Sequence, residues 1–527
     1  MNPFRFRATP HCYRLLAGTA SILALTSNSP AALFKKSASD FSGIYESGNL
    51  PAALTTVQKE AASNAKSKDA ILWRLEQGAT LRAAASAAPG VVPAIADPTV
   101  PPAQPGDKPA EAPAPGSPAE VSRAYIKSSL LALDLAEEKV NSYEEQSKVK
   151  VGSEVGASLT NLSALPYRGR AYDKVMMNAY KALNYMQLGE IDKARVELNR
   201  ALQRQKDAVA QNEKRIAEAQ ETSEKAKKGE VTDESGKSAA YDADKAQQDP
   251  KTGPALNAVL AESTANLVSY GDYVNPFAVF LDALFFTVRG EGGSDLERGR
   301  KSMERVVGMV PENPYVKADL GLAQAAAEGK SPEGVTYVFF ETGTGPDRDE
   351  TKIQIPTFLV TSKLAYIGAA FPKLKFNPSF VGSLGVKAGD QTVPTATLAS
   401  MDSVVANDFK NEWPVVVTKT LVGTATKAIV QATAQKSLDH AGLAGLVGKV
   451  GLTALNATTT HADTRVWSSL PKEFQYARVN TPADRQLIVA AGNDSRTITL
   501  VPGAVNIVYV KSITPSSPLL VSQFALK

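Results

Sequence analysis

The sequence predicts an α+β protein in which an N-terminal α-helical array precedes a β-rich domain with inserted helices. Three observations predict it. From Asp40 to Glu328 apolar residues recur mainly at three- and four-residue spacing, the period of a helix buried on one face. Near Gly334 the pattern changes to β-branched and aromatic runs such as Val335-Thr336-Tyr337-Val338-Phe339-Phe340, which favour strands. The 527 residues are 43% hydrophobic and 21% charged, so the chain has the composition and length for a large core.

The first segment reads as an export signal. Arg5, Arg7 and Arg14 are the only charges before Lys35, and the apolar stretch Leu15–Thr26 leads into Ser29-Pro30-Ala31. A basic start, a short apolar run and small residues near the cut define a signal over residues 1–31. The expected location is the periplasm, the outer membrane or the exterior. Cys12, the one cysteine, would leave with the signal, so neither a disulfide framework nor a thiolate metal site is expected.

The helical domain is expected over 39–332. Phe41, Ile44 and Tyr45 form a first apolar stripe; Leu54, Val57 and Ala61 a second; Ile71, Leu72, Leu75 and Ala79 a third. Residues 87–120 then read as a Pro/Ala-rich linker, with ten prolines between Pro89 and Pro118. Such a stretch is semi-rigid and has little to bury. Helices resume over Tyr125–Val140, Tyr172–Leu188 and Ile191–Ser223, the last polar enough in its later part to be expected to project from the body. Residues 229–253 read as a polar disordered loop. Pro254–Gly271, Asn275–Arg289, Leu296–Met309 and Tyr315–Glu328 complete the helices. The run from Asn178 to Arg195 has small and aromatic positions in one helix, Gly189 in the turn and Ala194 early in the next. That spacing makes the array tetratricopeptide-like.

The C-terminal domain is expected over 333–527. After the first strand, Gly343-Thr344-Gly345-Pro346 reads as a hairpin turn, and Thr351-Lys352-Ile353-Gln354-Ile355 alternates as a half-buried strand does. Leu364–Ala369, Ser379–Val386 and Thr392–Thr395 continue the β pattern. A helical segment over 399–456 follows, broken at Pro414 and resuming at Gly442–Asn456. Strands return at Gln475–Val479, Arg485–Ala490, Thr497–Leu500 and Ala504–Val510.

Chemistry is sparse. Lys+Arg 58 against Asp+Glu 54 is nearly neutral, which excludes a strongly basic nucleic-acid binder. The histidines are His11, His440 and His461; none sits in a nucleophile motif, so no catalytic residue and no cofactor are expected, and the protein reads as non-enzymatic. The Gly343–Pro346 turn lacks the Lys-Ser/Thr ending of a phosphate loop. Asp347, Asp349 and Glu350 are oxygen ligands in type, but Arg348 lies among them and a solvated turn is the better account. Tyr167-Arg168-Gly169-Arg170 is the densest polar–aromatic spot, either a ligand-facing loop or a helix lead-in.

Together these pieces resemble a family of uncharacterised bacterial envelope lipoproteins with tetratricopeptide-like helices and a β-rich C-terminal region. Trp73-Arg74-Leu75-Glu76-Gln77-Gly78-Ala79 resembles its first block. Tyr172-Asp173-Lys174-Val175, Ala182-Leu183-Asn184-Tyr185 and Ala194-Arg195-Val196-Glu197 resemble its central one. Gly343–Pro346 followed by Glu350 is similar to its β-hairpin, and Asp463-Thr464-Arg465-Val466-Trp467-Ser468-Ser469-Leu470-Pro471 with Ala477-Arg478 to its C-terminal block. The resemblance implies an envelope location and an assembly-type role. The lipidation cysteine of the family is missing here.

Two functions follow as expectations. The first is a helical-repeat scaffold that binds envelope proteins on its concave surface, through Tyr180, Asn184 and Arg195. The second is a β-domain binding module for cell-wall glycan or lipid, with Trp467, Tyr476 and Arg478 as contacts and a peripheral membrane or wall association. The ordinary alternative is core packing for Tyr180, Trp467, Tyr476 and Arg478, and plain solvent exposure for Asn184 and Arg195.

Overall fold

The computed structural model describes residues 40–99, 117–149, 162–232, 236–265, 267–357, 366–439 and 461–527. The expected export signal, the proline-rich run over 100–116, His440 and the expected Gly442–Asn456 helix lie outside the described residues. The chain is α+β, helical first and strand-rich later. A short helix α1 (40–46) leads into α2 (Leu50–Ser63), α3 (Ala70–Ala85), α4 (Pro118–Val149), α5 (Ala171–Leu188) and α6 (Ile191–Lys227). Then come α7 (Ala243–Gln247), α8 (Thr252–Thr264), α9 (Pro276–Arg289), α10 (Gly293–Met309) and α11 (Val316–Ala327).

Local chemistry sets the helix ends. The Asn49 side chain accepts from Ala52 N at the start of α2, and Asn275 accepts from Phe277 N and Ala278 N beside Pro276 in α9. Both satisfy donors that a helix start leaves without partners. Gly189 ends α5 at φ +77°, a conformation in which a side chain is disfavoured. Consecutive helices pack pairwise, but α4 has 32 residues and α6 has 37, the first nearly as long as a whole 34-residue tetratricopeptide unit and the second longer.

The strands are β1 (Val335–Thr342), β2 (Asp347–Pro356), β3 (Tyr366–Lys375), β4 (Gly385–Ala388), β5 (Gln391–Pro394) and β6 (Ala396–Ser400). After α12 (Met401–Asp439) come β7 (Glu473–Asn480), β8 (Gln486–Ala491), β9 (Asp494–Thr499), β10 (Val505–Ser512) and β11 (Leu520–Ala525). They form a five-stranded sheet in the order β11-β10-β1-β7-β6, a four-stranded sheet β5-β4-β8-β9 and a β2-β3 ribbon. Central β1 is parallel to β10 and antiparallel to β7.

Alternation along β1 divides its side chains between two cores. Tyr337 and Phe339 join Phe474, Tyr476, Ile507 and Tyr509 toward α5 and α9, while Val338 and Phe340 join Ala477, Val479, Val508 and Val510 toward the smaller sheet. The result is three layers: helices, five-stranded sheet, four-stranded sheet. The main core is continuous across residue 333, running from Ile71 to Leu526. The inner face of the helical array is therefore filled by the chain's own sheet.

Several expectations change. Residues 229–253, expected to be disordered, are folded where described: Val231, Tyr241, Ala243 and Ala246 are buried, and Tyr241 N donates to Ala226 O. Those few apolar anchors suffice because α6 is beside them. The later part of α6 does not project, since Asn212 donates to Asn411 O at 3.2 Å and Arg215 reaches Glu412 at 3.4 Å on α12. Helix α12 runs unbroken through Pro414. A proline there costs about 3 kcal/mol, but Phe409, Trp413, Val416, Val417 and Leu421 are all buried in the main core. The Gly343–Pro346 turn is not a hairpin, because β1 and β2 belong to different sheets. Gly343 N donates to Ser512 O of β10 and Gly345 N to Leu470 O just before β7, so the turn is held by distant parts of the chain. The start of the linker is docked: Tyr125 Oη donates to Pro93 O at 2.6 Å, and Val92 is buried. The edge strand β11 has no counterpart in the sequence reading.

Candidate functional site

A cleft of about 320 Å³ opens where α1, α3, the β2–β3 ribbon and the 464–468 segment meet. Each contributor arrives for a local reason. Helix α3 is enclosed on nearly every side: Leu72, Leu75 and Ala79 pack into the main core, Trp73 packs into a second cluster with Phe41 and Tyr45, and Glu76 is buried as well. Phe41 of α1 packs edge-on against Trp73, ring centroids 6.1 Å apart, making an aromatic wall. The lining also includes Asp347 and Asp349 of β2, Lys375 of β3, paired in register with Asp347, and Glu46 of α1. Burial, then the neighbouring charge of Glu46, pushes Asp347 up to about 6, and Lys375 offsets only part of this.

The 463–471 segment is clamped from both sides. Glu76 accepts from Ser468 N at 2.6 Å, Ser468 Oγ at 2.8 Å and Ser469 N at 3.1 Å, and also from Ser469 Oγ. Burial nevertheless pushes Glu76 up to about 7. Arg465 pairs with Asp69 at 2.8 Å and Asp463 at 2.7 Å, donates to Leu165 O at 2.7 Å and lies over the Tyr167 ring. This is one planar cation satisfied in several directions, as guanidinium geometry allows. Behind the cleft, Glu412 of α12 bonds Arg170 at 2.6 Å and Arg348 at 3.1 Å. Burial opposes its ionisation, yet the two guanidiniums hold its carboxyl far below the ordinary range, while burial and Glu412 push Asp408 up to about 7.

Comparison of this chain with family models, curated proteins and solved structures gives no match. The site is therefore read from its own geometry. Three of the segments noted in the sequence, Trp73–Ala79, Asp347–Glu350 and Asp463–Pro471, meet at this cleft although nearly 400 residues separate the first from the last.

Of the expected partner-binding residues, Tyr180 and Asn184 are internal and Arg195 is half-buried. Tyr180 is buried edge-on against Trp467 at 5.9 Å. Asn184 is fully buried, accepting from Arg82 and donating to Ser129 Oγ at 3.0 Å. Arg195 bonds Asp295 at 2.6 Å and covers the Phe286 ring. Of the expected glycan or lipid contacts, Trp467 and Tyr476 are internal and Arg478 is half-buried. Trp467 Nε1 donates to Ser469 Oγ at 3.0 Å, Tyr476 Oη donates to Asp319 at 2.6 Å, and Arg478 approaches the same carboxylate at 3.3 Å. The structure brings Tyr180 and Trp467 together, and Tyr476 with Arg478, in each case as packing or internal pairing.

His461 lies 3.5 Å from Glu350, and among the described residues no group of His, Cys, Asp or Glu is placed to hold a metal. Tyr167 and Arg170 face inward, toward Asp173 and Glu412, so this stretch is a helix lead-in. Sequence reasoning missed Glu76, Arg465, Arg348 and Glu412. A signal existed for Glu76: it follows Leu72 by four residues and precedes Ala79 by three, on the apolar stripe.

Proposed function

We propose that the protein is a non-enzymatic component of the cell envelope that binds a partner protein in the cleft between α1, α3 and the β2–β3 ribbon. The export-signal pattern over residues 1–31 supports the location. Paired helices, read as a tetratricopeptide-like array, serve as the frame, and the filled inner face moves recognition from that face to the cleft. The observation that carries the reading is the cleft itself: 320 Å³, within the size range of small binding sites, assembled from three remote chain segments. The buried acids and bases around it are bonded to one another, as in Glu412 with Arg170 and Arg348, which is a framework role. The acids Glu46, Asp347 and Asp349 in its lining fit a basic side chain.

The test uses the full chain in its native host with a photo-reactive residue at Ser42, on the cleft rim. One protein is expected to be trapped in stoichiometric yield through a lysine- or arginine-bearing segment. Asp347→Lys is expected to lower that yield at least ~10-fold, the effect of an opposed charge in a partly buried site. Equal trapping by the variant removes the cleft reading. Fractionation that finds the uncut chain in the cytoplasm removes the envelope reading.

A further inference from the structure

The cleft is short of positive charge, and the chain that leads into it carries some. Of the charged side chains in the lining, Glu76 is taken up by Ser468 and Ser469, and Arg348 by Glu412. That leaves Glu46, Asp347, Asp349 and Lys375, three acids and one cation. Glu46 accepts from Ser42 Oγ at 2.9 Å. Among the described residues neither Glu46 nor Asp347 is in an ion pair. Burial and then the charge of Glu46 push Asp347 up to about 6, and Lys375 is an incomplete offset. A further cation beside these carboxylates is favoured.

Helix α1 supplies Phe41, Ser42, Gly43 and Glu46 to the cleft. The residues just before it are Ala32-Leu33-Phe34-Lys35-Lys36-Ser37-Ala38-Ser39, and the export signal expected over 1–31 ends where they begin. Between Arg14 and Lys59, Lys35 and Lys36 are the only basic residues. They carry the two positive charges that the lining lacks. Reach permits the contact. Glu46 stands about 9 Å along α1 from Asp40, and the five residues from Lys35 to Asp40 span up to about 17 Å when extended. Gly43 has nothing within 4 Å of where a Cβ would stand, so the near rim has room for a passing segment. Tethering supplies an effective concentration in the millimolar range, so the contact needs far less intrinsic affinity than a free ligand does.

We infer that the resident occupant of the cleft is the chain's own segment 32–39, with Lys35 and Lys36 seated against Glu46, Asp347 and Asp349 as an internal stand-in for the basic segment of a partner. The seating itself needs only the cleft and the two lysines. Its consequence rests on the function proposed above: a partner binds only those chains whose segment has left the cleft, and its apparent affinity falls in proportion. The segment is thus an autoinhibitory contact, set by charge complementarity.

The experiment places a photo-reactive residue at Phe34 of the full chain, produced in its native host, and identifies the linked peptides by mass spectrometry. A link within one chain to residues 347–349 or to Lys375 is expected. Lys35→Glu with Lys36→Glu leaves residues 40–527 unchanged and is expected to cut the yield of that link at least ~5-fold, since two ion pairs are lost and like charges oppose each other. Lys35→Arg with Lys36→Arg keeps the charges and is expected to keep the yield. A link confined to α1, a link to a second copy, a yield indifferent to the charge at 35 and 36, or a mature chain that begins after Lys36 overturns the inference. The two readings separate cleanly. A link within the chain with no partner trapped at Ser42 keeps the segment and removes the partner, and a trapped partner without that link does the reverse.

Discussion

Glu76 shows how one carboxylate joins two halves of the chain. It sits on α3 and receives four hydrogen bonds from Ser468 and Ser469, almost 400 residues away. Burial pushes it up to about 7, against an unfolded value near 4.5. A folded value above the unfolded one gives stability that is full below about 4.5 and lost as pH rises through about 7. The size of that loss is on the order of 3 kcal/mol. Glu76→Gln cannot titrate, and its one carbonyl oxygen cannot accept from both serines as two oxygens do, which costs about 1–3 kcal/mol. Chemical denaturation of both proteins from pH 4 to pH 8 should therefore show the wild type losing ground to the variant by several kcal/mol as pH rises. A pH-independent gap would remove Glu76 as the titrating group. The sequence shows Glu76 on an apolar stripe but not what meets it. The same ambiguity placed Tyr180, Asn184, Trp467 and Tyr476 on binding surfaces: periodicity tells which face of an element is buried, and the partner that buries it is a tertiary fact.

Helix α10 carries two glycines beyond its first residue, which the sequence does not distinguish and the structure does. A Cβ on Gly299 would lie 2.7 Å from Thr287 N and 3.0 Å from Phe286 C, both backbone atoms of α9 that cannot yield. A Cβ on Gly308 would meet nothing within 4 Å. Gly299→Ala should force α9 and α10 apart and cost about 1–3 kcal/mol, as overpacking does. Gly308→Ala should stabilise by about 0.5–1 kcal/mol, because alanine loses less freedom in a helix. Urea unfolding of the two variants checks this, and equal effects from both would contradict the close α9–α10 contact. At this scale the helices and most strands were legible, since caps such as Asn275-Pro276 and runs such as Val335–Phe340 are local signals. Pairing was not. The Gly343–Pro346 turn has the residues of a hairpin, but β1 lies beside β10, with Val335 opposite Val505, and no local signal encodes a partner so far along the chain.

The change of pattern near Gly334 marks where helices give way to strands, but it is not a boundary between independently stable bodies. Phe277 of α9 stacks on Phe474 of β7 at 3.8 Å, Phe280 lies 4.6 Å from Tyr476, and Tyr180 of α5 meets Trp467. Cutting at 333 would expose both sides of this aromatic layer, at about 25 cal/mol for each Å² of apolar surface uncovered. Polar ties cross the same plane: Glu76 to Ser468, Arg465 to Asp69, Tyr476 and Tyr337 to Asp319. Buried charges left without partners cost about 3–5 kcal/mol each. Neither a 40–332 nor a 334–527 fragment should therefore fold alone, although a chain of this length ordinarily permits separate domains. The expected outcome is a near-random backbone amide spectrum for each fragment, and one calorimetric transition for the intact chain. Tryptophan fluorescence, with Trp73 on α3, Trp413 on α12 and Trp467 beside the sheet, should change at the same temperature as the far-UV helical signal. Two resolved transitions, or a fragment with dispersed amide resonances, would show that the layers hold themselves together, and the clamp between Glu76 and the 468–469 serines would then be a contact between domains and not part of one core.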